Sequence, residues 1–265
     1  MRRFRLRPAT KRGRVTATVT AAVVAGCAVF ASGAALADNS TPRSDKEIAN
    51  LGLVENQIKA YYGDTVVGSE HYASPDSPYA HQVARIEAKA KDYLARSVRH
   101  GHGPTKPAIV LDVDDTSLLT YNYELEQGFG YTPASNGAYI ASKTMDPVFG
   151  MPQLANWAAD QGISVFFVTG RPEAQRDPSA ANLAAVGYKP AADTDHLFLK
   201  NSANPPAYLT CGSTCTTIQY KSQTRAHIES LGYDILANFG DQYSDLSGGS
   251  ADKGFKMPNP MYYLP

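Results

Sequence analysis

The sequence predicts an α/β fold in which a parallel sheet carries helices on both faces. Apolar, strand-like runs at about 108–113, 163–168, 196–199 and 235–239 alternate with stretches of helical periodicity at about 151–160, 177–186 and 221–231. That alternation marks parallel strands joined by crossover helices. Three of the runs also stop abruptly in polar side chains, Asp112, Thr169 and Asp241. Ligands in such folds sit beyond the carboxyl ends of the strands.

In chain order, the first fourteen residues hold seven Arg or Lys and no acid, an apolar run follows from Val15 to about Ala31, and Ala35-Leu-Ala37 precedes Asp38. A basic start, an apolar middle and a small-x-small site make an export signal over residues 1–37, not a retained membrane span. Val24-Ala-Gly-Cys27 resembles a lipoprotein box, but apolar residues continue past it. Cleavage after Ala37 is therefore expected, with a lipid anchor at Cys27 as the alternative. Residues 38–44 are polar and are expected to be a disordered linker.

Removing residues 1–37 leaves 18 basic against 25 acidic residues, net −7. An acidic surface argues against a nucleic-acid polymer or an anionic membrane as partner. Cys211 and Cys215 are the two cysteines left after cleavage. In an exported chain they are expected to pair, since a zinc site would need further ligands that are not visible nearby.

A helical accessory part is expected over 45–103. Ile48, Leu51, Leu53 and Ile58 repeat with helical spacing in 45–62, and Val83, Ile86, Ala90 and Leu94 in 77–99. Ser77-Pro78 suits the start of the second helix, and Gly101, Gly103 and Pro104 end it. Residues 108–116 then read Ala-Ile-Val-Leu-Asp-Val-Asp-Asp-Thr. Side chains alternate along a strand, so Asp112 and Asp114 leave on one side and Asp115 on the other, where it has no chemical role. Two converging carboxylates repel unless a cation or a shared proton relieves them. The arrangement suits one carboxylate attacking, the other moving a proton, and a hard metal between them.

Residues 117–150 are rich in rings, Tyr121, Tyr123, Phe129, Tyr131 and Tyr139, and broken by Gly128, Gly130 and Pro133. They are expected to form a small cap whose rings could stack on a flat leaving group. The second strand ends Thr169-Gly170-Arg171, a helix opens at Tyr220-Lys221, and the last strand runs into Gly240-Asp241-Gln-Tyr-Ser-Asp245.

The order Asp-x-Asp-x-Thr, Thr-Gly-Arg, Lys, Gly-Asp-x-x-x-Asp resembles the haloacid dehalogenase (HAD) superfamily of phosphohydrolases. Within it, Gly240-Asp-Gln-Tyr-Ser-Asp-Leu246 and Gly254-Phe-Lys-Met-Pro-Asn-Pro-Met-Tyr-Tyr-Leu-Pro265 are similar to the secreted HAD-type acid phosphatases, which include plant vegetative storage proteins and bacterial lipoprotein acid phosphatases. The resemblance runs from about residue 45 to 265. It implies a HAD-like Rossmannoid sheet and a phosphomonoesterase acting on small phosphomonoesters through an aspartyl-phosphate.

By position, Asp112 matches the family nucleophile and Asp114 the general acid/base. Protonating a leaving alcohol requires Asp114 protonated at the working pH, which fits an acidic optimum. Every candidate metal ligand is an oxygen, so magnesium is implied, held by Asp112, Asp241, the backbone carbonyl of Asp114 and Asp245, the last directly or through water. Thr169 would donate to a phosphoryl oxygen. Lys221 would neutralise nucleophile and phosphate; Lys200 competes for that role, but Lys221 opens the helix before the Asp241 strand, as the family pattern demands. Arg171 is expected to brace its loop.

Three rivals carry less. Arg99-His100-Gly101 resembles the start of a histidine-phosphatase motif but lacks its second arginine, since His102, Gly103 and Pro104 follow. Dehalogenation is disfavoured because Asp114 is the phosphatase-type proton donor. A non-catalytic binding or storage protein on the same fold is the alternative from another class, against which Asp112 stands intact.

Overall fold

The structure is a computed structural model that describes residues 49–100, 104–142 and 145–264. The expected leader 1–37, Cys27, the linker 38–44 and residues 101–103 lie outside them. The described residues divide into two units at the step from Gln57 to Ile58. Asn50 opens helix α1 (Leu51–Tyr62), its side-chain Oδ1 accepting the Leu53 N–H at 3.2 Å; residues 58–62 of this helix already belong to the second unit.

The second unit holds a five-stranded sheet in the spatial order β5-β4-β3-β6-β7, formed by β3 (Lys106–Leu111), β4 (Ser164–Pro172), β5 (Leu197–Lys200), β6 (Tyr233–Gly240) and β7 (Gly254–Lys256). Every neighbouring pair is parallel, so each connection must cross back over a face. Ala108 and Val110 of β3 join Phe166 and Val168 of β4 in a cluster completed by Tyr220 and Ile228 of α7 (Thr217–Ser230). The alternate residues Ile109, Leu111, Val165 and Phe167 are buried on the opposite face. On that side α2 (Pro78–His100) meets β6 and α5 (Met151–Asp160) meets β4. β3 is central because it is apolar on both faces, as a doubly covered strand must be. Helices α6 (Arg176–Ala185) and α8 (Tyr243–Leu246) complete the crossovers.

Ser77 caps α2 as expected, its hydroxyl accepting the Ala80 N–H at 3.1 Å. Between the two helices of the expected accessory part, the chain also forms an antiparallel hairpin, β1 (Thr65–Val67) with β2 (Glu70–Tyr72), turning at Gly68 with φ +66°. Three-residue strands are too short for their alternation to be read from sequence. β7 was not expected for the same reason.

Residues 117–150 hold α3 (Tyr121–Glu126) and α4 (Pro133–Ser142). Their tyrosines are mostly core. Tyr121 stacks on Tyr62 at 4.5 Å, which stacks on Tyr79 at 4.3 Å. Tyr123 meets Tyr139 at 5.3 Å. Of the five rings expected to face a leaving group, Tyr121, Tyr123 and Tyr139 are buried and Phe129 is half-buried, whereas Tyr131 is 66% exposed. The rings were drawn inward because each buries 150–250 Å² of surface at about 25 cal/mol per Å².

Candidate active site

β3 ends at Leu111, two residues earlier than the sequence suggested. Asp112 still joins the ladder through its N–H to Phe239 O at 3.0 Å. The chain then turns: Ser117 and Leu118 both donate N–H to Val113 O, and Asp115 donates to Leu118 O at 2.7 Å. Asp115 sits at φ +50°. The pleat argument that turned Asp115 away therefore applied to residues no longer in a strand. Asp115 is instead a buried anchor of this loop, accepting Thr120 N–H at 3.1 Å, the Thr120 hydroxyl at 2.5 Å and the Tyr262 hydroxyl at 2.8 Å. Burial pushes its pKa up to about 7, against those hydrogen bonds.

The ends of β3 and β6 and the short helix α8 bring three carboxylates together. One oxygen each from Asp112, Asp241 and Asp245 lie within 4.8 Å of one another, all buried. Lys221 Nζ donates to Asp112 Oδ1 at 2.6 Å and to Asp245 Oδ1 at 2.5 Å. It reaches there because Thr216 and Gln219 form a capping box that fixes the start of α7 one turn earlier. Asp245 returns toward Asp241 because α8 coils immediately after it, and Gln242 N–H donates to Asp245 Oδ2 at 2.8 Å. Gly240 has to be glycine, since a Cβ there would collide with the Asp245 side chain.

One lysine does not neutralise three acids. Two unit charges about 5 Å apart repel by about 3 kcal/mol at an effective dielectric near 20. Burial, opposed by Lys221 and reinforced by Asp245 and Asp241, pushes the Asp112 pKa well above the usual carboxylate range. Burial and Asp245 push Asp241 up to about 7. Lys221 stays charged: desolvation works against the ammonium, but Asp112 and Asp245 outweigh it and raise its pKa. An all-oxygen donor set with excess negative charge fits a hard divalent cation.

Asp114 stands outside this cluster. Arg171, at the end of β4, contacts both its oxygens, with Nη2 to Oδ1 at 2.6 Å and Nε to Oδ2 at 3.0 Å. Arg171 Nη1 donates to Ser179 Oγ at 2.8 Å, so the fork is fixed from behind. Arg171 thus braces a carboxylate and not merely its loop. The Asp114 side chain keeps 26% of its surface exposed. Tyr131 lies in its field: its hydroxyl pKa is raised by burial, Tyr123 and the charge of Asp114. Thr169 is buried, and its hydroxyl oxygen accepts the Arg171 N–H at 3.2 Å, which leaves the hydroxyl proton available. Lys200 is not brought to the cluster; its Nζ donates to Cys215 O at 3.1 Å. That carbonyl belongs to the disulfide Cys211–Cys215, whose Cα atoms are 5.0 Å apart.

Sequence reasoning missed several supports. Arg225 donates to the carbonyls of Asp245 and Ser247, both at 2.6 Å, and of Gly249. Asn238 Nδ2 donates to Asp245 O at 2.9 Å. Both had a signal: Arg225 lies four residues after Lys221 on the same helix face, and Asn238 is a polar residue inside an apolar strand. A cavity of about 340 Å³ lined by Glu70, His71, Tyr121, Asn122, Tyr139 and Asp146 lies apart, meeting this loop only at Leu119.

The family model described as HAD superfamily, subfamily IIIB (Acid phosphatase) matches residues 31–265. Vegetative storage protein 1 of Arabidopsis thaliana is 31% identical over 224 residues, 82% of this chain and 74% of that one. Acid phosphatase 1 of Solanum lycopersicum is 31% identical over 190 residues, 70% of this chain and 69% of that one. Among solved structures, the class C acid phosphatase from Bacillus anthracis superposes with a TM-score of 0.60 at 22% identity, covering 80% of this chain and 86% of that one. This last likeness concerns the fold.

Proposed function

Because the chain belongs to subfamily IIIB of the HAD superfamily, the acid phosphatases, we propose that it is a secreted, magnesium-dependent acid phosphatase acting on small phosphomonoesters. One observation carries the reading: Lys221 bridges Asp112 and Asp245 beside Asp241, while Arg171 holds Asp114, two residues on, outside that cluster. The attacking and proton-moving carboxyls are thereby separated by their cations.

In the first half-reaction an Asp112 oxygen attacks phosphorus, the bond from phosphorus to the ester oxygen breaks, and Asp114 gives its proton to the departing alcohol. In the second, Asp114 takes a proton from water as its oxygen attacks phosphorus; the Asp112–phosphorus bond breaks and phosphate leaves. Thr169 donates its free hydroxyl proton to a phosphoryl oxygen, and Lys221 offsets charge, one charge-assisted hydrogen bond contributing about 1.5–3 kcal/mol. Magnesium bound by the carboxylates of Asp112, Asp241 and Asp245 and the carbonyl of Asp114 would supply further neutralisation of the phosphoryl oxygens.

Residues 117–150 serve as the cap in this reading. Tyr131, exposed and in the field of Asp114, is the ring left to meet a nucleotide or aryl leaving group. The basic, apolar, small-x-small N-terminus and the Cys211–Cys215 disulfide support export. Among the described residues no helix is long and apolar enough to cross a membrane.

The test is hydrolysis of 4-nitrophenyl phosphate at acidic pH by residues 38–265, with and without chelator. Turnover that chelation abolishes and magnesium restores is expected. Absence of turnover with magnesium present sinks the catalytic reading in favour of a binding or storage role; full turnover after exhaustive chelation removes the metal.

A further inference from the structure

Residues 257–264 run beside the acidic cluster. Met257 N–H donates to Gly240 O at 2.8 Å, tying the segment to the end of β6. Asn259 Nδ2 then donates to Asp241 Oδ2 at 2.8 Å, while its own Oδ1 accepts the Met261 N–H at 2.8 Å. The second bond decides which end of the amide faces Asp241. Gln242 repeats the device: Nε2 donates to Asp241 Oδ2 at 2.7 Å and Oε1 accepts the Leu264 N–H at 3.0 Å. Asp241 Oδ2 thus receives two amide N–H groups, each turned by a backbone N–H of one segment. Among the described residues, Oδ1 has only the Thr116 hydroxyl at 3.5 Å. The same segment reaches the nucleophile loop through Tyr262, whose hydroxyl donates to Asp115 Oδ2.

We propose that residues 257–264 form a strap that dedicates Oδ2 of Asp241 to the protein and turns Oδ1 toward the cation, with Asn259 the positioning residue. The inference rests on the metal reading above. A carboxylate with both oxygens equally free can rotate about its last torsion, which is broad for such groups. Two oriented donors on one oxygen remove that freedom before the cation arrives, and loss of such an outer partner typically costs 10- to 100-fold in metal affinity.

The experiment is calorimetric titration of Mn2+ into the full chain as wild type, Asn259→Leu, Asn259→Ala, Asn259→Ser and Asp241→Asn, with metal-free melting recorded for each. Leu replaces the amide at similar volume without a donor. Ala keeps the test open where Leu disturbs packing, and Ser restores a donor. Affinity about 10- to 100-fold weaker in Leu and Ala, partly recovered in Ser, with metal-free melting close to wild type, is expected. Affinities within threefold of wild type in all three Asn259 variants, while Asp241→Asn loses binding, overturn this inference alone. Equal binding by wild type and Asp241→Asn removes the metal reading and the strap with it.

Discussion

Asp112 and Asp114 are the same residue type two positions apart in one loop, and the protein gives them opposite surroundings. Asp112 is 6% exposed and shares Lys221 with Asp245. Asp114 is partly open to solvent and belongs to Arg171. The two cations are not interchangeable. An ammonium is a compact point charge that can sit between carboxylates, drawing them together without fixing their planes. A guanidinium presents a planar fork that sets the orientation of one carboxyl group. Lysine therefore gathers acids around a place for a cation, and arginine aims a single acid. In the proposed reaction, these neighbours decide which carboxyl attacks and which moves protons.

The largest effect should come from the Lys221 side. Asp112→Asn keeps the shape but replaces the attacking oxygen by a far poorer nucleophile, so turnover should fall by at least about 10³-fold. Unfolding curves should stay close to wild type. Turnover within tenfold of wild type would place the attacking group elsewhere and dissolve the contrast with Asp114.

The Arg171 side should respond differently, in proportion to how much help the leaving group needs. Asp114→Asn should cost about 10²–10⁴-fold with an alkyl phosphate. It should cost less with a nitrophenyl ester, whose phenolate departs unaided; quenching that reaction should trap covalent phosphate, because water lacks its base. Arg171→Lys keeps the charge but loses the fork, and a misaimed acid of this kind costs about 10–10²-fold. Its loss should again be greater for the alkyl ester. Equal losses on both esters, with no trapped intermediate, would make Asp114 a structural carboxylate.

The sequence disclosed four of the five sheet strands, the described helices of ten residues or more except α4, and the acids at the strand ends, because long apolar periods and abrupt polar stops are local signals. It missed what depends on partners far along the chain. Arg171 gave no sign that it would meet Asp114 across 57 positions. Asn259 stood in the sequence only as one residue of the 254–265 run, with no sign of a partner, since its contact with Asp241 exists only once β6 and the segment after β7 are side by side. Asp115 was misplaced because strand alternation was extended past the residue where the backbone turns.

The smallest expected effect concerns a third carboxyl, one with no cation beside it. Glu87 of α2 is half-buried, its Oε1 has no hydrogen-bond partner among the described residues, and the carboxyl presses on Gly150, where any Cβ would collide with it. Burial alone pushes its pKa up to about 7, from an ordinary value of 4.5. The folded state therefore holds this proton more tightly than the unfolded chain. The stabilisation is fully present below pH 4.5 and is lost as pH rises to about 7, so stability should fall across that window. The full shift corresponds to about 3 kcal/mol. Solvent reaches part of the group and the open first turn of α5 favours its charged form, so about 1–2 kcal/mol is the realistic size. Glu87→Gln keeps the shape without the titration. Urea unfolding of metal-free protein at pH 5 and pH 8 should show the variant less sensitive to pH, and more stable than wild type at pH 8. Parallel stability curves for the two proteins would mean that water or the helix end satisfies the charged form, so that a buried acid in this fold would not need a cation after all.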